Sequence, residues 1–246
     1  MSESSAKVRV AVIDSGAGAD ATAIELAAGR AFFREDTPFA AGESVDLYDR
    51  IGHGATCSRL IRRLAPDAFI IPLRVFGNTL DTSPAVLCAA LEYARDHDVD
   101  VINLSLSTHR EDALVPLFRL CRSLRERGTI VVAAADPIRD PGYPAIFEDV
   151  LGVTVVPRKT IVPPSEIDCL ECIVGNEHLV PPAFVEDEFS PLSASYATAI
   201  VSGAIAARVA VNGRRSLAAI RLEILADRRF LSAQSHLSQN SGIASK

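Results

Sequence analysis

The stretch "VAVIDSGAGAD", Val10–Asp20, decides how the chain is read. An apolar, β-branched run ends in an acid, Asp14, and then in Ser15-Gly16-Ala17-Gly18. A strand followed by glycines has two readings. Gly16-x-Gly18-x-x-Ala21 fits the loose dinucleotide fingerprint, with phosphates held at the start of a helix over Ala21–Ala28. Alternatively, Asp14 is the working residue and the glycines only turn the chain away from it. Two features weigh against the nucleotide. Asp14 and Ser15 stand between the strand and the first glycine, and a carboxylate there repels a pyrophosphate. A second strand ending in a ribose-binding acid should follow, yet that region reads "FFREDTPFAAGESVD", Phe32–Asp46, a poor strand.

The rest of the chain supplies the context. Its 246 residues, 48% hydrophobic, can bury a full core, and one domain over residues 1–231 is expected, with a polar, disordered tail over 232–246. The net charge of −6 and the lack of a long Lys/Arg block argue against nucleic acid or an anionic membrane as partner. Met1–Lys7 is polar and carries no secretory signal. The best apolar run, Ala197–Val211, is broken by Arg208, so no membrane span is expected. Five cysteines without framework spacing suit reduced thiols in a cytoplasmic protein. Cys169 and Cys172 form a lone C-x-x-C near His178. A redox pair or half a zinc site is one reading; with no second close pair to complete four ligands, two idle loop cysteines is the better one.

Nearly continuous Val/Ile-rich runs predict strands at Val8–Ile13, Phe69–Val75, Val101–Leu106, Thr129–Ala135 and Val150–Val156. Ser83-Pro84 opens a helix to Asp96, and Asp112 caps another that ends at Gly128. Further helices are predicted over Ser195–Val211 and Ser216–Ala226. The alternation predicts an α/β fold: a mostly parallel sheet with helices on both faces, in three layers. Reacting groups in such sheets gather at the carboxyl ends of the strands, and Asp14 ends the first. Arg158–Ser190, with its proline pairs and acidic "VEDEF", is read as loops around a short hairpin.

Two more stretches bring chemistry. In "DRIGHGATCSRLIRRLAPDA", His53 stands between two glycines, just before a helical pattern. In "SPLSASYATAIVSGAIAARVA", Ser195 precedes a helix of small residues. Alone, His53 would be a loop histidine and Ser195 an N-cap. Together Asp14, His53 and Ser195 offer carboxylate, imidazole and hydroxyl. A serine hydroxyl becomes a nucleophile when a base takes its proton, and the base needs its tautomer fixed by a carboxylate. The order Asp, His, Ser is that of the subtilisin arrangement.

The sequence from Val8 to about Ala226 resembles the subtilisin-like serine peptidases. "VAVIDSG" resembles their acid motif and "GHGAT" their histidine motif. "LAPDAFIIPLRVF", "VINLSLS", "GTIVVAAAD" and "YPAIFEDVLGVTVV" resemble successive later segments, and "SASYATAIVSGA" the serine motif. The resemblance implies Asp14 as acid, His53 as base and Ser195 as nucleophile. It implies a cleft lined by Leu104, Ser105, Leu106 and Ser107, with Ala133, Ala134 and Ala135. The partner would be a peptide or protein substrate; no cofactor or metal is expected, and oligomeric state is not legible. The glycines after Asp14 then match the family's turn.

The sequence also departs from the family. Where Gly-Thr-Ser-Met-Ala is usual, this chain has Ser193-Ala194-Ser195-Tyr196-Ala197. Thr56 replaces the second histidine of the histidine motif. "AAADP" stands where Gly-Asn donates to the oxyanion, which puts Asp136, or Pro137, in the donor place. Losing such a donor costs about 2.7–4 kcal/mol of barrier. Two functions follow: a narrow-specificity intracellular endopeptidase, suited to removing a leader from a ribosomally made peptide, or a weakly cleaving pseudopeptidase. The short stretch before Val8 leaves no room for an inhibitory prosegment, an expectation that suits an enzyme made ready to act.

Overall fold

The computed structural model describes residues 7–18, 28–35, 40–135, 142–156, 171–174, 177–180, 194–226 and 231–232. The parallel strands are β1 (Arg9–Asp14), β2 (Arg30–Arg34), β4 (Phe69–Arg74), β5 (Val101–Leu104), β6 (Ile130–Ala134) and β7 (Val150–Val156). β3 (Ala41–Ser44) closes one edge as a hairpin on β2. β8 (Glu171–Val174), β9 (Glu177–Val180) and β10 (Leu231–Ser232) continue antiparallel from β7 at the other. The order across the sheet is β10-β9-β8-β7-β6-β5-β1-β4-β2-β3.

Side chains alternate across the central strands and build two cores. Val10, Val12, Ile70, Val101 and Val132 pack beneath α1 (His53–Leu64), α4 (Ala194–Asn212) and α5 (Leu217–Ala226). Ala11, Ile13, Ile71, Ile102 and Val131 pack beneath α2 (Pro84–Asp96) and α3 (Glu111–Glu126). With both faces covered, each strand reads as an unbroken apolar run. The result is the three-layer α/β fold that the alternation predicts.

Three local readings need correction. Residues 32–46 do contain strands, most of β2 and all of β3. Phe32 is buried while Phe33 is 47% exposed, so this edge hairpin keeps one wet face and tolerates charge. Asp112 does not cap α3. It lies in the first turn, paired to Arg110 at 2.7 Å, where a carboxylate favours the positive helix end. α3 ends at Glu126, and Gly128 beyond it takes φ 81° to turn the chain. The helix envisaged over Ala21–Ala28 falls almost wholly outside the described residues.

α4 is the central element. Its 19 residues pass the length and composition test for a membrane span. Most of them are buried, wedged between α1 and the β5–β7 face, as in a core helix.

Candidate active site

Gly16 explains the opening stretch. It sits at φ 126°, and a Cβ there would lie 2.5 Å from the Leu47 carbonyl oxygen. The turn lets Ala17 donate to the Leu47 carbonyl (2.8 Å) and accept from the Asp49 N–H (3.1 Å). Residues 17–18 thus run beside 47–49 and bring the start of α1 down onto the end of β1. The backbone around Gly16 is committed to this pairing, which leaves the phosphate reading without support.

Asp49, which sequence reasoning missed, organises the helix start. One carboxylate oxygen accepts from Ile51 N (3.0 Å) and Gly52 N (2.7 Å), the other from Ala55 N (2.8 Å). Ser15 bonds its carboxylate and also accepts from Gly54 N at 2.9 Å. N–H groups that a helix start leaves orphaned are thereby satisfied. Burial works to raise the Asp49 pKa, but these hydrogen bonds outweigh it and hold the carboxyl below its ordinary value. The signal was present in the sequence: an acid shortly before a helix start is a capping pattern.

His53, the first residue of α1, is thereby aimed at Asp14. Its Nδ1 lies 2.8 and 2.9 Å from the two carboxylate oxygens. Asp14 is fully buried, and one of its oxygens also accepts from Ser15 N at 2.7 Å. An ionised carboxylate only accepts, so Nδ1 carries the proton and Nε2 is left as a base. Burial pushes the imidazole pKa down. The Asp14 hydrogen bond and the charges of Asp14 and Asp49 outweigh it, and the value lies above the ordinary one.

Ser195 enters from α4. Its hydroxyl donates to the Ser105 carbonyl at 3.0 Å, and its own carbonyl accepts from the Ser105 hydroxyl at 2.9 Å. Behind this clasp lies a buried polar chain. Asn103 Nδ2 donates to Ser105 Oγ (2.9 Å), and Ser202 Oγ donates to Asn103 Oδ1 (2.9 Å). The chain ties the first turns of α4 to the end of β5. A lone asparagine inside the apolar run "VINL" is its signal in the sequence. Tyr196, next to Ser195, stacks on the His53 ring with centroids 5.4 Å apart at 25°.

The structure therefore joins Asp14 to His53 directly. Ser195 is joined to Ser105, while its neighbour Tyr196 touches His53. Of the residues expected to line a cleft, Leu104 and Ala133 are fully buried in the α2/α3 core and can offer only backbone. Ser105, Ala134 and Ala135 are also buried, and Leu106 and Ser107 are half-exposed. Asp136 and Pro137 lie outside the described residues, as does Cys169. Cys172 falls in β8, opposite Leu179.

Asp14, His53 and Cys57 place ligand-type atoms within 4.8 Å of one another. A metal bound there would take Nδ1 from Asp14. It would also have to deprotonate a fully buried thiol whose pKa burial and then the Asp14 charge push well up. Such an ion would dismantle the pair. Cys57, Cys88 and Cys121 are free thiols.

No protein-family model matches the chain. Subtilisin DY of Bacillus licheniformis is 26% identical over 166 residues, which cover 61% of this chain and 57% of that protein. The match thus spans little more than half of the relative's length. Among solved structures, one described as the crystal structure of a lanthipeptide protease aligns with a TM-score of 0.60 at 17% identity. That alignment covers 88% of this chain and 78% of the other. Likeness in sequence to a subtilisin and in fold to a peptidase of known structure makes this chain a relative of the subtilisin-like serine peptidases.

Proposed function

We propose that the protein is a serine endopeptidase in which Ser195 attacks the scissile carbonyl, His53 takes the proton and Asp14 holds the imidazole. The observation that carries this reading is the His53–Asp14 pair, with Nδ1 bound and Nε2 left as base. Ser195 lies beside the residue that stacks on that imidazole. Rotation about its Cα–Cβ bond frees the hydroxyl from the Ser105 carbonyl. The Ser195 N–H, in the first turn of α4, has no intrahelical acceptor and is suited to receive the oxyanion. Asp136, if it stands in the second donor place, must be protonated to donate.

The finer reading is a narrow role: maturation of a ribosomally made peptide in a reducing, cytoplasmic compartment. The free thiols suit that compartment. A second reading, peptide binding with poor cleavage, draws on the Ala135-Asp136-Pro137 departure and on the hydroxyl engaged at Ser105. A fluorophosphonate probe separates the two. The protein should label at Ser195, and Ser195→Ala should abolish labelling with the fold intact by circular dichroism. An unlabelled, folded parent protein would favour the second reading.

The pH dependence follows from His53. A base must be neutral, so peptide hydrolysis should rise with pH through the His53 pKa, at a midpoint above the ordinary value of about 6.5. Asp49→Asn removes one of the charges that raise it and should move the midpoint down. Stability has the opposite sign. The raised pKa means the folded state binds this proton more tightly, so its stabilisation is full below about 6.5 and is lost as pH rises through the folded value. A rate profile whose midpoint is indifferent to Asp49→Asn would contradict the assignment.

A further inference from the structure

A cavity of about 340 Å³ opens at the ends of β2 and β4, between the chain leading into α2 and the start of α3. That volume lies within the range of small ligand sites. The cavity stands at the same sheet edge as Asp14, because Asp14 and Arg74 are in register on β1 and β4. Arg34, Arg74 and Arg110 line it against one acid, Asp81. Asp46 and Asp112 pair with Arg74 and Arg110, which leaves Arg34 as the lining guanidinium without a carboxylate partner among the described residues.

The three arginines are not equally engaged. Arg74 is held by the Asp46 carbonyl (2.7 Å), the Phe76 carbonyl (3.3 Å) and the Asp46 carboxylate (3.5 Å). Arg110 pairs with Asp112 at the exposed surface. Arg34 is exposed and makes no ion pair among the described residues. Within the wall, Thr82 Oγ1 is buried and has no hydrogen-bond partner. Phe32 and Phe76 supply apolar surface for a short aliphatic stem. Cationic side chains, an unused hydroxyl and an apolar wall together suit a carboxylate on a short chain.

We infer that this cavity is a specificity subsite for an acidic side chain, glutamate or aspartate, of the peptide substrate. The inference rests on the peptidase reading for the word substrate; the carboxylate site itself rests on the cavity. Spacing sets the position. Ser105, which holds Ser195, follows β5, and β4 lies two strands away, about 10 Å, with β2 a further ~5 Å. An extended peptide advances about 3.3 Å per residue. The acidic residue therefore falls roughly three to five positions from the scissile bond.

The test walks one glutamate along an uncharged Ala/Leu/Gly decapeptide, each member with a glutamine twin. Fluorescence anisotropy measures binding to the Ser195→Ala protein, and the unsubstituted protein is assayed for cleavage. At one position glutamate should bind about 10-fold or more tightly than glutamine, and salt should shrink the gap. Arg34→Glu should reverse the ratio, as should Arg110→Glu, a second variant at an exposed site. Failure of the peptidase reading would appear separately, as absent probe labelling with the glutamate preference retained in binding. No preference at any position, or one that survives both charge reversals, overturns the subsite.

Discussion

Asp14→Asn should lower kcat about 10⁴-fold while the protein stays folded. The carboxylate accepts from His53 Nδ1 with both oxygens and from Ser15 N with one. Asparagine keeps the size and one acceptor, so the strand end survives. Its NH₂ group turned toward Nδ1 favours the tautomer protonated on Nε2, which has no lone pair for the serine proton. The imidazolium formed during attack also loses its counter-charge. Changing the acid of a Ser-His-Asp triad to its amide drops kcat by about 10⁴ for these reasons. Single-turnover kinetics on a peptide substrate, with near-ultraviolet circular dichroism for the fold, would measure it. A loss below about 10-fold would mean that His53 is oriented from elsewhere.

Gly203→Val should cost about 2–3 kcal/mol of stability. A Cβ at Gly203 would lie 2.8 Å from the Ile61 carbonyl oxygen and 3.0 Å from its Cα. Both are backbone atoms of α1 and cannot swing aside. Replacing a helical glycine gains up to about 1 kcal/mol, but overpacking costs about 1–3 kcal/mol, and valine's branches add to the clash. At this chain length each kcal/mol corresponds to about 2–4 °C, so melting should fall by roughly 4–12 °C. Gly203→Ala should fall between the two. Because α1 carries His53 and α4 carries Ser195, the probe should also label the valine variant more slowly. A variant that melts with the parent would mean that the two helices re-seat freely.

The sequence showed the central strands because both their faces are dry, and burial writes itself as unbroken Val/Ile runs. The β2–β3 hairpin was hidden for the converse reason: Phe33, Arg34 and Glu43 face water, so the pattern resembles a loop. Asp14 and His53 were legible because a carboxylate ending a strand and a histidine between glycines each break the local rule. Asp49 leaves a local trace, since it accepts from N–H groups only two to six residues on, but the partners of Asn103 and Ser202 are not legible: they meet across the fold, and no local spacing records such a meeting. Arg34 and Arg110 likewise belong to one cavity only after β2 and α3 have been placed.

The position of α4 in the chain has a consequence for biosynthesis. Asp14 and His53 lie on β1 and α1, made well before α4, whereas Ser195 and the buried faces of α4 follow all six parallel strands. A nascent chain on the ribosome holds Asp14 and His53 before Ser195 is made, over strands whose α4-covered face is still bare. At about 5–20 residues per second, the 141 residues between His53 and Ser195 take roughly 7–28 s to emerge. On the proposed peptidase reading, the growing polypeptide cannot cut itself or its neighbours during that interval. It does expose apolar strand surface, which makes chaperone capture at this stage the expected toll of completing the site last.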